Sequence, residues 1–117
     1  MPDEERRRPY LIRPAGERAT DDPFPYQVRC TNQSVEADWD ALCATHANNA
    51  RRCFDHLATT PHARPTDTGR VTPLKGRYTG SYQYEVGAAA RVWYRVDQEH
   101  MVVVVHRVSI GHPKETE

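Results

Sequence analysis

Arg91, Trp93 and Arg95 fall at every second position of the segment RVWYRVD, residues 91–97, and an extended chain turns alternate side chains to the same side. Two guanidinium groups and an indole would then share one surface. In the preceding segment YQYEV, residues 82–86, the same alternation sets Gln83 and Glu85 apart from Tyr82, Tyr84 and Val86. If the apolar sides of both segments face a core, the opposite side holds arginine, glutamate and an indole within a few side-chain lengths. Such a face suits a phosphate-bearing, base-carrying ligand, since guanidinium groups pair with phosphate and indoles stack on bases. A solvated face of cross-strand charge pairs is the other reading of the same residues. Trp93 favours the first, because an exposed indole is costly to leave idle.

The histidines at 46, 56, 62, 100, 106 and 112 form no HxxxH or HExxH pair, so no metal site is expected. His46 and His56 fall in helical patterns, and His62 and His100 in loops or turns. His106, inside a valine run, is either a core histidine or a residue of the face. His112 follows Ser109-Ile110-Gly111, where a glycine bend can swing an imidazole over the sheet edge. Cys30, Cys43 and Cys53 are odd in number and lack CxxC spacing, which points to idle reduced thiols rather than a disulfide framework or a zinc knuckle.

The elements that must position these residues fit one core, the usual solution for 117 residues. Apolar residues make up 38% and charged residues 27%, and no run approaches the roughly 18 apolar residues of a membrane span. The start MPDEERRRPYLIRPAG has charges without a following apolar stretch, so no secretory signal is read and a cytoplasmic address is expected. The formal charge is zero, and residues 26–117 hold 11 Lys or Arg against 10 Asp or Glu. A nucleic-acid function would therefore have to rest on local charge.

Residues 1–25 carry Pro2, Pro9, Pro14, Pro23, Pro25 and the mixed cluster DEERRR, and are expected to form a disordered or loosely packed arm. A single domain is expected over 26–117. Tyr26 to Cys30 alternates as a short strand. Ser34 can cap a helix whose stripe is Val35, Trp39, Leu42, Cys43 and His46. Asn48-Asn49 is a soft break, after which Ala50, Cys53, Phe54 and Leu57 continue the pattern until Pro61, giving a helical hairpin or one bent helix. A polar loop over 59–70 leads to four strand-like segments: RVTPLKGRY (70–78), YQYEV (82–86), ARVWYRVD (90–97) and HMVVVVHRV (100–108). In the last, Val103, Val105 and Arg107 alternate with Val102, Val104 and His106, and apolar residues on both sides predict a central strand. The expected class is α+β: an N-terminal strand, a helical hairpin, then an antiparallel sheet of three to four strands with the helices on one face.

PLKG (73–76), the aromatic strand YQYEV, RVWYRVD, the valine run and the closing SIGHPKETE, in that order, resemble the RelE/ParE superfamily of type II toxin–antitoxin toxins. The likeness spans about 26–117, is strongest over 73–114, and is nearest to an actinobacterial branch with a GHPK-type C-terminus. It implies an N-terminal helical hairpin and a four- or five-stranded antiparallel sheet. RelE-like members are endoribonucleases that cut mRNA in the ribosomal decoding site; ParE-like members poison DNA gyrase. The position that stabilises the phosphate under attack matches Arg91, the preceding strand's functional positions match Gln83 and Glu85, and the residue after the glycine near the end matches His112.

RNA cleavage without a metal needs a base for the 2′-hydroxyl proton, a cation for the phosphorane and an acid for the departing 5′ oxygen. The resemblance assigns these to Glu85, Arg91 and His112, with Lys75, Arg77, Trp93, Arg95 and Lys114 contacting RNA. It implies no cofactor or metal. The implied partners are a cognate antitoxin, the ribosome and its mRNA, and no membrane. Many ribonuclease members are strongly basic, with lysines on the second strand and a tyrosine near the C-terminus; this chain is neutral, has Gln83 and Glu85 there, and ends in KETE. Those departures favour the alternative, a non-catalytic inhibitor or binding module, either a ParE-like gyrase poison or a degenerate relative.

Overall fold

Alternation over Tyr26 to Cys30 yields β1, Gln27–Cys30, with Val28 and Cys30 buried. The computed structural model describes residues 12, 24–62, 71–87 and 89–110. Ile12, 3% exposed, sits in the core and donates its backbone N–H to the Val28 carbonyl at 3.1 Å, along one edge of β1.

Two helices follow: α1, Gln33–Thr45, and α2, Ala47–Thr59. The cap of α1 is Asn32 rather than Ser34: the Asn32 side chain accepts from the Val35 N–H at 3.0 Å, and Ser34 is already within the first turn. Asn48 and Asn49 lie inside α2, and the break falls at His46, φ −134° and ψ 57°. Side-chain competition explains the shift. The Thr45 hydroxyl donates back to the Ala41 carbonyl at 3.0 Å and also contacts His46 Nδ1 at 2.9 Å. Val35, Trp39, Leu42 and Cys43 of α1 and Ala50, Cys53, Phe54, Leu57 and Ala58 of α2 form the buried stripes. His46 is only half-buried, beside Gly87 of the turn between two later strands.

The sheet has β2 (Val71–Pro73), β3 (Ser81–Glu85), β4 (Arg91–Asp97) and β5 (Val102–Ser109) in the order β1-β5-β4-β3-β2. The last four strands are antiparallel neighbours, as expected. β1 joins the same sheet parallel to β5, the two helices serving as the start of its long crossover, so the sheet is five-stranded and mixed. The segment 70–78 is not one strand. Its strand stops at Pro73, and Gly76–Tyr78 make a 3₁₀ turn bracketed by Gly76 at φ 67° and Gly80 at φ 100°, conformations that favour glycine.

The helices cover the face that bears Val28, Val71, Tyr84, Val92, Tyr94, Val103, Val105 and Val108. His56 of α2 lies against the Tyr84 ring at 5.4 Å, and the buried Tyr94 hydroxyl donates to the Pro61 carbonyl at 2.8 Å, tying the end of α2 to the centre of the sheet. β5 is internal, as its two apolar sides predict.

Alternation fails once, inside β5. Tyr94 pairs with Val105 but Trp93 pairs with Arg107, so His106 is an extra residue, a β-bulge. The buried valines are 103, 105 and then 108. Arg107 consequently leaves the Val103 and Val105 side and joins His106 on the face turned away from the helices.

Candidate nucleic-acid interface

Register sets the composition of that open face. Gln83 lies opposite Trp93, Glu85 opposite Arg91 and Ser81 opposite Arg95 across β3 and β4; Arg107 lies opposite Trp93 and Val104 opposite both Arg95 and Arg29. Arg29, Arg91, Arg95 and Arg107 therefore share a face with two carboxylates, Glu85 at one end of β4 and Asp97 at the other. A chain of zero formal charge thus presents a locally basic surface.

Arg91 opens β4 half-buried, and its Nη1 donates to the carbonyls of Gly87 at 3.2 Å and Ala90 at 3.0 Å. The turn is closed by Val86 N–H donating to the Ala90 carbonyl at 3.0 Å. Those bonds hold the guanidinium at the β3–β4 corner, with Glu85 facing it across the strands. Arg95 is exposed and forms one wall of a groove of about 530 Å³ lined also by Gly80, Val96, Asp97, Gln98, Glu99 and Val104.

Trp93 is half-buried and engaged rather than bare. Its Nε1–H donates to Gln83 Oε1 at 2.9 Å, the Tyr78 ring meets it edge-on at 4.8 Å, and the Arg107 guanidinium lies 5.0 Å from its centroid. Arg77, in turn, lies 5.8 Å from the Tyr78 ring. Arg77, Tyr78, Trp93 and Arg107 thus alternate cation, ring, ring, cation across the face, and Tyr78, 38% exposed, is its open aromatic.

His106 reaches from β5 across β4 to β3, where its Nε2 meets the Ser81 hydroxyl at 3.1 Å; its ring lies 6.1 Å from that of Trp93. Ser81 is buried, 4% exposed. Burial, with the positive charge of Arg95 adding, lowers the His106 pKa below its usual 6.5.

Of the residues singled out in the sequence, Glu85, Arg91, Trp93 and Arg95 share the open face, and Arg77 joins it through Tyr78. Lys75 is exposed at the entry to the 3₁₀ turn. His112, Lys114 and the GHPK segment lie outside the described residues. Ser81 and Tyr78 carry no role in the sequence reading, which leaves His106 open between core and face and sets Arg107 on the side of Val103 and Val105. Their signals were two adjacent polar residues breaking a valine alternation, and an aromatic between two glycines. Among the described residues no group of three or more His, Cys, Asp or Glu side chains is placed to hold a metal ion, and no helix is long and apolar enough to cross a membrane.

A scan against protein-family models finds no match, and comparison with curated proteins finds none either. Solved structures do match. The chain is similar to the archaeal RelE–RelB complex from Pyrococcus horikoshii OT3, at 25% identity and a TM-score of 0.55, covering 73% of this chain and 93% of that one. It is similar to the YoeB/ParE toxin from Agrobacterium tumefaciens at 24% identity and a TM-score of 0.57, covering 73% and 98%. The DinJ–YafQ toxin–antitoxin complex from E. coli matches in fold at 15% identity and a TM-score of 0.57, covering 73% and 91%.

Proposed function

We propose that this chain, which by fold belongs to the RelE/ParE superfamily, is the toxin of a type II toxin–antitoxin pair and acts as a metal-independent endoribonuclease on ribosome-bound mRNA. The observation that carries the reading is the concentration of Arg91, Arg95 and Arg107 around Trp93, with Arg29 two strands away on the same sheet face of a chain of zero net charge. A polyanion is attracted by such a face, and unpaired bases find rings to stack on.

Arg91 takes the phosphate under attack. It gives up two backbone carbonyls for a phosphorane whose charge is greatest in the transition state, so the exchange is most favourable there. Glu85 stands opposite, one strand away, where a carboxylate can turn the guanidinium outward. Arg95, at its groove, holds a flanking phosphate; Lys75, Arg77 and Lys114 are the further RNA contacts, and His112 the acid for the departing 5′ oxygen, that the resemblance implies. The partner that silences the toxin is a cognate antitoxin, a reading supported by the RelE–RelB and DinJ–YafQ complexes.

The second reading is a gyrase poison, favoured by the uncharged Gln83 and the acidic Glu85 on β3. Expression of the full chain under tight control in a bacterium, with the 5′ ends of mRNA sequenced during growth arrest, separates the two. Codon-phased cuts are expected. Arrest with a DNA-damage response and intact mRNA would establish the gyrase poison instead.

A further inference from the structure

A half-buried glutamine decides what the aromatic patch can read. Gln83 on β3 lies directly opposite Trp93 on β4, and the indole Nε1–H donates to its Oε1 at 2.9 Å. An indole nitrogen is a donor only, so the amide oxygen must face it and the NH2 group must point the other way. A free glutamine turns over to offer either a donor or an acceptor; this one is held as a donor. On its other side β2 places Thr72, an exposed residue whose hydroxyl can turn to suit.

The same indole carries Tyr78, whose ring meets it edge-on at 4.8 Å and is 38% exposed. Amide and phenol ring are therefore separated by no more than the indole they share. The charged groups beside the two rings are also donors: the Arg77 guanidinium 5.8 Å from the Tyr78 ring and the Arg107 guanidinium 5.0 Å from that of Trp93. The nearest acceptors on β3 are engaged elsewhere. Glu85 lies opposite Arg91, and the Ser81 hydroxyl meets His106 at 3.1 Å. An open ring bordered by donors suits a flat ligand with acceptors along its edge.

We propose that Tyr78 and Gln83 hold one unpaired guanine of the RNA, Tyr78 by stacking and Gln83 by reading its edge. This rests on the ribonuclease reading and adds base selection to it. Guanine presents two neighbouring acceptors, N7 and O6, which take an amide N–H of Gln83 and a guanidinium N–H of Arg77 or Arg107. Adenine sets an amino group where guanine has O6, so donor meets donor. Cytosine brings the same conflict through its own amino group, and uracil offers O4 with no second acceptor beside it. Arg91 and Arg95 hold phosphates of any sequence, whereas this pair distinguishes bases. Gln83 is thus a specificity-determining residue, and Trp93 a positioning residue that fixes its amide.

The test uses the full chain with mRNA-programmed bacterial ribosomes and single-turnover cleavage. The mRNAs carry guanine, 7-deazaguanine or adenine at one position of the exposed codon, each position being varied in turn. Wild type cuts the guanine form about tenfold faster than the adenine form at one codon position, the scale of one good base-edge pair. The 7-deazaguanine form, which lacks the N7 acceptor, loses most of that advantage; this comparison needs no variant. Gln83→Glu keeps an oxygen for the indole and turns an acceptor outward, so it reverses the order in favour of adenine. Trp93→Phe frees the amide to turn over and brings the two rates within a few-fold. Each ratio is taken within one variant, so a change in overall affinity cancels. Equal wild-type rates for guanine and adenine at every position, or a guanine preference that survives Gln83→Glu, overturns the site. Loss of all cleavage in Gln83→Glu with ribosome binding kept places Gln83 among the reacting groups and overturns it too. Wild-type protein that cuts no RNA under these conditions overturns the ribonuclease reading itself, and the guanine site with it.

Discussion

Tyr94 shows how a single polar atom fixes the frame beneath the face. Its hydroxyl is buried and bonds the Pro61 carbonyl at 2.8 Å, and burial raises its pKa. Tyr94→Phe keeps the ring but leaves that carbonyl unpaired, and is expected to cost about 1–2 kcal/mol in urea unfolding. His56 is a second buried polar group. Its Nε2 is buried with no hydrogen-bond partner among the described residues, and burial lowers its pKa below 6.5. The unfolded chain then takes up a proton at a higher pH than the native state. Stability is therefore intact above about 6.5 and falls as the pH drops below it. Urea midpoints measured from pH 7 to 5 should fall, and His56→Leu should flatten part of that fall. The three cysteines are buried thiols, and that of Cys30 is pushed up to about 11, chiefly by burial with Glu36 adding.

At the scale of elements, β3 and β4 were legible because they are regular. Counting by twos from Trp93 and Gln83 gives the faces and pairings observed. β5 was not legible by the same count, since an inserted residue reverses parity without changing composition, and only the three-residue gap between buried Val105 and Val108 betrays it. The helix break was misplaced because the Thr45 side chain, rather than the asparagines, competes with the helix. The 3₁₀ turn was hidden in a segment read as a strand, yet it supplies Tyr78 and brings Arg77 beside it. If this turn is a stacking platform for an unpaired base, Tyr78→Ala should weaken binding of a single-stranded RNA oligomer by about tenfold, within the 1–3 kcal/mol typical of a base–aromatic stack. Fluorescence anisotropy at fixed salt reads this, with Tyr78→Phe retaining affinity.

For the whole molecule, the sequence order of strand, helices and meander was enough for the α+β class, because each element carries its own periodicity and the short links leave few topologies. The parallel pairing of β1 with β5 was not readable, since it joins segments about seventy residues apart through the alternation of neither. Net charge misled in the same way. A zero sum hid a face on which arginines outnumber carboxylates, while Glu36, Asp38, Asp40 and Asp55 lie on the two helices. Arg91 is where fold, face and family resemblance meet. Controlled expression of wild type and Arg91→Ala at equal protein levels, with mRNA 5′ ends mapped in both, tests the account most directly. Wild type is expected to arrest growth with codon-phased cuts, and Arg91→Ala to lose at least about 100-fold of that cleavage, the scale of removing one transition-state anion contact, and to let cells grow. Equal cleavage and equal arrest in the two strains would contradict it.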